Sequence, residues 1–125
     1  MVVVKDKSYL ITCKVLLGDF FGRDAEEAFI ELREPDNFDM NKMNVAISKA
    51  QKDGDNTSTL TVFREVLPRI IVDHSLYKSE TEKMDAEEVA VLVMDKTDMF
   101  TAVLDQYSRE VLFTLGKRNA GKSIT

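Results

Sequence analysis

The sequence has few of the residues from which compact chemical sites are built. Its only cysteine is Cys13, and its only histidine is His74. A single cysteine excludes an intramolecular disulfide and a cysteine-based zinc cage, and it is typical of a reducing compartment. A single histidine excludes a pair of histidine metal ligands, so we interpret His74 as a residue near a helix end. We therefore expect a protein with no metal and no cofactor that is not an enzyme.

Long hydrophobic runs and a positive net charge are also lacking. Lys5, Asp6 and Lys7 interrupt the opening valines, so the start is too short for a signal peptide or a membrane span. The formal net charge of -5 weakens attraction to a phosphate backbone. We therefore expect neither a membrane nor a nucleic-acid partner, and a location in the cytoplasm.

The two prolines, Pro35 and Pro68, lie far apart, and no repeat or low-complexity tract suggests a linker. With 125 residues, of which 44% are hydrophobic and 31% charged, the chain is expected to form one folded domain. We place this globular domain at residues 1–115. Residues 116–125, which are basic and contain no acid, are expected to form a flexible tail.

Two segments have the alternating pattern of β-strands. From Tyr9 to Val15, every second residue is apolar, and a short helix is expected to follow and to end near Gly22. From Ala28 to Glu34, Ile30 and Leu32 share one face, and the proline that follows ends the pairing. The sequence therefore predicts a small N-terminal β element.

The next two segments have helical spacing. Apolar residues recur at three- and four-residue steps from Met40 to Ala50, with Asp36 or Asp39 as a cap. Leu60 to Ile71 form a second apolar stripe, which Thr57 or Ser58 can cap. Because Pro68 lies inside this stripe, we expect either a kink or two short helices with the proline opening the second.

The remaining helices are predicted from their ends. Asp85 and Glu88 have the spacing of a capping box, with Met84 placed to pack on Val89. A further helix is expected to start at Thr97 or Asp98 and to be stopped by Gly116. The predicted fold class is mainly α (α+β), with four to five helices, a small N-terminal β element and a flexible C-terminal tail.

Gly116 to Ser123 (GKRNAGKS) matches the phosphate-binding loop pattern G-x-x-x-x-G-K-[ST] at every fixed position. The mechanism requires a strand before the loop and a helix after it, whose amides hold the phosphates. Only Ile124 and Thr125 follow, so we interpret the match as accidental.

Other acidic groups are explained without chemistry. Asp53 to Asn56 resembles the start of a calcium loop, but Glu65 falls one residue late to close it, so we predict a turn. The carboxylates between Glu80 and Glu88 are accounted for by helix capping and a solvated face. The six methionines suit either core gaps or an adaptable binding groove.

Three stretches resemble the tail assembly chaperones of long-tailed bacteriophages and related prophages. They are FIELREP at Phe29 to Pro35, VLPRIIVDHSLY at Val66 to Tyr77, and DAEEVAVLVMDKTDMFTAVLDQY at Asp85 to Tyr107. The resemblance spans roughly Tyr9 to Gly121 and includes no catalytic signature.

The resemblance implies a small protein that binds the helical, aggregation-prone tape-measure protein while the tail tube polymerises. It also implies that the tail tube protein is a second candidate partner, and that a longer form exists, made by a ribosomal frameshift near the end of the shorter frame. Two alternatives remain open: a structural subunit of a phage tail, and a nucleotide-binding protein built on Gly116 to Ser123. Self-association is also left open.

The family offers no defined motif of contact residues, so a binding surface is chosen from the sequence pattern. We expect a groove near the helix pair Met84 to Tyr107, together with the basic tail, to meet the partner. The residues that this hypothesis assigns to the partner are Met84, Phe100, Tyr107, Lys117, Arg118 and Lys122.

Overall fold

A computed structural model describes Met1, residues 9–22 and residues 27–123, with the backbone alone for residues 119–123. The opening valines, the side chain of Lys122 and the last two residues of the expected tail lie outside this description. The fold consists of a three-stranded sheet, a small hairpin and helices that cover one face of the sheet.

The sheet has the strand order β1-β2-β3 and is antiparallel throughout. Strands β1 (Thr12–Leu16) and β2 (Phe29–Arg33) confirm the two predicted strands, with their alternate apolar residues buried. Strand β3 (Ile71–His74) was not predicted, because in the sequence the apolar stripe of the preceding helix continues through Ile71. The small hairpin consists of β4 (Tyr77–Ser79) and β5 (Glu82–Lys83). It was not predicted either, because it has little apolar character.

The first two helices each end at a glycine. Helix α1 (Gly18–Phe21) is the predicted short helix before Gly22. Helix α2 (Asn37–Asp53) begins where the Asp36 carboxylate accepts the Asp39 N–H at 2.8 Å. It ends at Gly54, whose φ of 70° is in the left-handed region that glycine tolerates. The segment Asp53 to Asn56 is therefore a helix end and turn, as predicted.

Helix α3 (Thr57–Ile70) is a single helix that contains Pro68, so the prediction of two short helices is wrong. The proline lies in the last turn, where its missing N–H removes only one bond before the chain becomes extended at Ile71. The N-cap is Asn56 rather than Thr57 or Ser58.

Helix α4 (Ala86–Asp95) confirms the predicted capping box. The Asp85 carboxylate accepts the Glu88 N–H at 2.8 Å, and the Glu88 carboxylate accepts the Asp85 N–H at 3.1 Å. Both bonds satisfy N–H groups that a helix start otherwise leaves without a partner.

The last helical segment is longer than predicted. Helix α5 (Thr97–Tyr107) continues through a π segment (Ser108–Leu112) into α6 (Phe113–Ser123) without a break. The prediction that Gly116 stops the helix is wrong, because Gly116 does not adopt the positive φ of a helix-ending glycine. Counting this segment as one, the described chain has five helices and a small sheet, which confirms the mainly α (α+β) class.

Replacing Gly116 by alanine is expected to stabilise the protein by about 0.5–1 kcal/mol, because glycine is the poorer residue inside a helix. A Cβ added at this position meets no atom within 4 Å. Urea unfolding and far-ultraviolet circular dichroism measure the effect. A destabilised Gly116→Ala variant would contradict the continuous helix, because alanine is strained at a helix-ending left-handed position. The matched control is Gly54→Ala, which should destabilise for that reason.

The core lies between the sheet and the helices. Strand β2 contributes Ile30 and Leu32, which belong to one cluster with buried residues of α3, α4, α5 and the π segment. The largest fully buried side chains are Tyr107, Leu17, Ile30, Leu32, Met43, Leu67, Ile70 and Met99. None of the helices in the described ranges has both the length and the apolar character needed to cross a bilayer.

Candidate functional site

A groove of about 490 Å³ lies between helices α3 and α4. Each helix contributes one stripe, since the lining positions recur at three- and four-residue steps. The lining residues are Arg64, Glu65, Pro68 and Arg69 from α3, and Glu87, Ala90, Val91, Met94 and Asp95 from α4. Its volume is in the range of sites that accept large apolar groups.

Helix α4 is apolar on two sides. Val89 and Val93 are fully buried in the core, whereas Val91 is 57% exposed and lines the groove with the half-buried Met94. A short helix that is apolar around most of its circumference is expected to be covered on all sides. In this molecule one apolar side of α4 is open.

The sequence pattern of this helix did not mark Val91 as a site residue. The available signal was the uninterrupted apolar run from Val89 to Met94, which exceeds what one helix face can hold. Pro68 was interpreted only as a helix breaker, although its ring forms part of the groove wall.

The two rims of the groove differ in charge. Helix α3 contributes the cations Arg64 and Arg69 together with Glu65, whereas α4 contributes only the acids Glu87 and Asp95. An occupant that is apolar in the middle and charged oppositely on its two edges would therefore have a preferred orientation.

Arg69 is held in place by a buried carboxylate. Its Nε donates to Asp39 Oδ2 at 2.9 Å, and a terminal guanidinium nitrogen donates to Asp39 Oδ1 at 2.6 Å. The Asp39 side chain is 2% exposed, and these hydrogen bonds from Arg69 lower the pKa of the carboxyl below 3.8. The bidentate pair fixes the planar guanidinium at the rim of the groove.

Three of the residues assigned to a partner lie on or in the core. Tyr107 is 1% exposed, and its hydroxyl donates to the carbonyl of Arg33 at 2.9 Å. The Phe100 ring packs edge-on against Phe63, with centroids 5.9 Å apart. Met84 is half-buried against the core at the start of α4. Tyr107 is therefore a core residue, since its burial leaves no ring surface for a partner.

The basic residues lie elsewhere. Lys117 and Arg118 are exposed on α6, and the Lys117 ammonium lies 4.8 Å from the centre of the Phe113 ring. The Lys122 side chain lies outside the described residues. None of the predicted partner residues whose side chains the structure describes lines the α3–α4 groove.

The phosphate-loop match lies inside a helix. Gly116 to Ser123 falls within α6, where interior amides bond along the helix and do not form an anion-binding loop.

His74 lies on β3 rather than at a helix end, and its Nδ1 accepts the Leu76 N–H at 3.1 Å. Burial raises the pKa of the Cys13 thiol to about 11, which keeps it protonated.

Among the described residues, no three acidic, histidine or cysteine side chains are close enough to hold a metal ion. Comparisons with protein-family models, with curated proteins and with solved structures find no match for this chain.

Proposed function

We propose that the protein is a non-catalytic tail assembly chaperone of a long-tailed phage or prophage, which binds a helix of the tape-measure protein in the host cytoplasm. The observation that supports this proposal is the open apolar side of α4, where the exposed Val91 lines a groove together with Met94, which also packs against the core. We assign the partner helix to this groove.

An amphipathic helix is the occupant that fits the groove. Helix-in-groove recognition places apolar residues at i, i+3, i+4 and i+7 into a trough between two helices. The apolar wall formed by Pro68, Ala90, Val91 and Met94 provides that trough. Arg64 on the α3 rim and the acids Glu87 and Asp95 on the α4 rim then favour a helix with acids on one edge and bases on the other.

Chaperone action requires binding without chemistry. A long helical protein that waits for its tube exposes apolar stripes, and such patches aggregate unless another protein covers them. A carrier that covers one stripe and has a net charge of -5 makes the complex more soluble by mutual repulsion. The groove covers the apolar stripe, and the acidic composition gives the complex its negative charge.

Val91→Asp is expected to abolish this binding, because it places a carboxylate in the middle of the apolar wall. The measurement is co-expression with a candidate tape-measure protein, followed by the soluble fraction of that protein and its co-purification with the chain. We expect the wild type to raise the soluble fraction of the tape-measure protein. With Val91→Asp, the amount of tape-measure protein that co-purifies should fall at least tenfold.

The matched control is Val72→Asp, which changes an exposed valine on β3 that lines neither groove, 48% exposed against 57% for Val91. It should retain the tape-measure protein at the wild-type level, and circular dichroism should show both variants folded. Equal binding by wild type and Val91→Asp would rule out the α3–α4 groove. Failure of the wild type to solubilise the partner, together with its presence in purified virions, would instead favour a structural subunit of the tail.

A further inference from the structure

The outer face of helix α2 has a row of exposed and half-exposed residues. Phe38, Lys42, Val45, Lys49 and Lys52 recur at three- and four-residue steps, so they share one face of the helix. Phe38 is 70% exposed and Val45 is 61% exposed, although α2 buries its opposite face in the core.

This face borders a groove of about 350 Å³ between α2 and α3. Its floor is apolar and includes Val45, the buried Ala46 and the half-buried Val62. The two helices are joined there by the Thr59 hydroxyl, which donates to the Ala46 carbonyl at 3.4 Å. No residue lines both this groove and the α3–α4 groove, so the two can be filled at the same time.

The rim of this second groove is basic in an otherwise acidic protein. The Lys42 ammonium is 3.0 Å from the Glu65 carboxylate and 4.6 Å from the centre of the Phe38 ring. Lys49 and Lys52 are exposed, and neither forms an ion pair within the part of the chain that the structure describes. Lys49 lines the groove and Lys52 lies about one turn further along the same face of α2, so both are available to an acidic occupant that extends beyond the apolar floor.

We propose that the α2–α3 groove is a second protein-binding site, which takes an acidic amphipathic helix of a partner protein. The apolar residues of that helix cover Val45 and Val62, and its carboxylates meet Lys49 and Lys52. The recess between α2 and α3 can accommodate a helix, whereas a flat lipid surface would reach only its exposed rim. This site does not depend on the tape-measure assignment.

The test uses a synthetic helical peptide with leucines at i, i+3, i+4 and i+7 and glutamates at the flanking positions. A control peptide keeps the leucines and has lysines in place of the glutamates. Both are titrated into the ¹⁵N-labelled full chain. We expect the acidic peptide to saturate, with amide shifts centred on Val45, Lys49 and Val62, and the basic peptide to bind at least tenfold more weakly.

Two variants locate the site. Val45→Asp and the double variant Lys49→Glu with Lys52→Glu should each weaken the acidic peptide at least tenfold, whereas Val91→Asp in the other groove should leave it unchanged. No saturable binding, equal binding of both peptides, or shifts centred on the α3–α4 groove would overturn the proposal. So would co-sedimentation with phosphatidylserine vesicles through Lys49 and Lys52 in place of peptide binding.

Discussion

Replacing Tyr107 by alanine is expected to lower the free energy of unfolding by about 3–5 kcal/mol, the range for a large buried aromatic truncated to a methyl group. Tyr107 is fully buried among residues of the sheet and of α3 and α5. Its loss removes apolar contacts and leaves the carbonyl of Arg33 without the hydroxyl that donates to it. Urea unfolding followed by circular dichroism measures the change.

This result also decides between two roles for Tyr107. The sequence pattern assigned it to a partner surface, and a surface residue would change partner binding while leaving stability almost unaltered. Tyr107→Phe is the matched control, since it keeps the ring and removes only the hydrogen bond, at about 1 kcal/mol. A Tyr107→Ala variant as stable as the wild type would contradict the core assignment.

Arg69→Ala is expected to destabilise the protein at neutral pH, because it leaves the Asp39 carboxylate buried without its partner. Removing one member of a buried pair costs about 3–5 kcal/mol, and the half-exposed guanidinium reduces this to about 2–3 kcal/mol. The comparison is urea unfolding against Arg109→Ala, which breaks the exposed pair with Asp105 at 3.1 Å and should change stability little.

The pH dependence of Arg69→Ala should be opposite in sign to that of the wild type. In the wild type the pKa of Asp39 is lowered, chiefly by the hydrogen bonds from Arg69. The pair therefore stabilises the fold above pH 3.8, the unfolded value, and is lost as the pH falls through the lowered pKa. In the variant the largest remaining influence on this pKa is burial, which raises it against the weaker Coulombic lowering by Lys42 and Arg33, so we expect stability to fall as the pH rises above 3.8. If Arg69→Ala lowers the free energy of unfolding by the same amount at pH 7 and near pH 4, the charge of Asp39 is not involved.

Local signals predicted the elements whose cause is local. The alternation in β1 and β2 and the capping box at Asp85 depend on neighbours within a few residues, and each appears in the structure. Strand β3 depends on pairing with β2, some forty residues earlier in the chain. Its sequence, IVDH, continues the apolar pattern of α3, so the change from helix to strand has no local mark except Pro68.

The groove could be predicted only in part. The apolar run in α4 shows that two sides of this helix need cover, but only the packing decides which side meets the core. The Asp39–Arg69 pair joins residues thirty positions apart, and neither residue type indicates burial. Tyr107 and Arg33 are separated by 74 positions, so the aromatic side chain could not be assigned to the core from its own helix.

The π segment at Ser108–Leu112 determines where the C-terminal helix points. The buried residues Met99, Val103, Tyr107 and Val111 follow a strict four-residue repeat, which drifts by about 40° per step around a regular α-helix. The π turn contains more residues than an α turn, which offsets part of this rotation, so Val111 still points into the core. An insertion or deletion of one residue there would rotate α6 by about 100° about its axis. The five residues of the π segment therefore set the direction in which Lys117 and Arg118 project from the helix that follows.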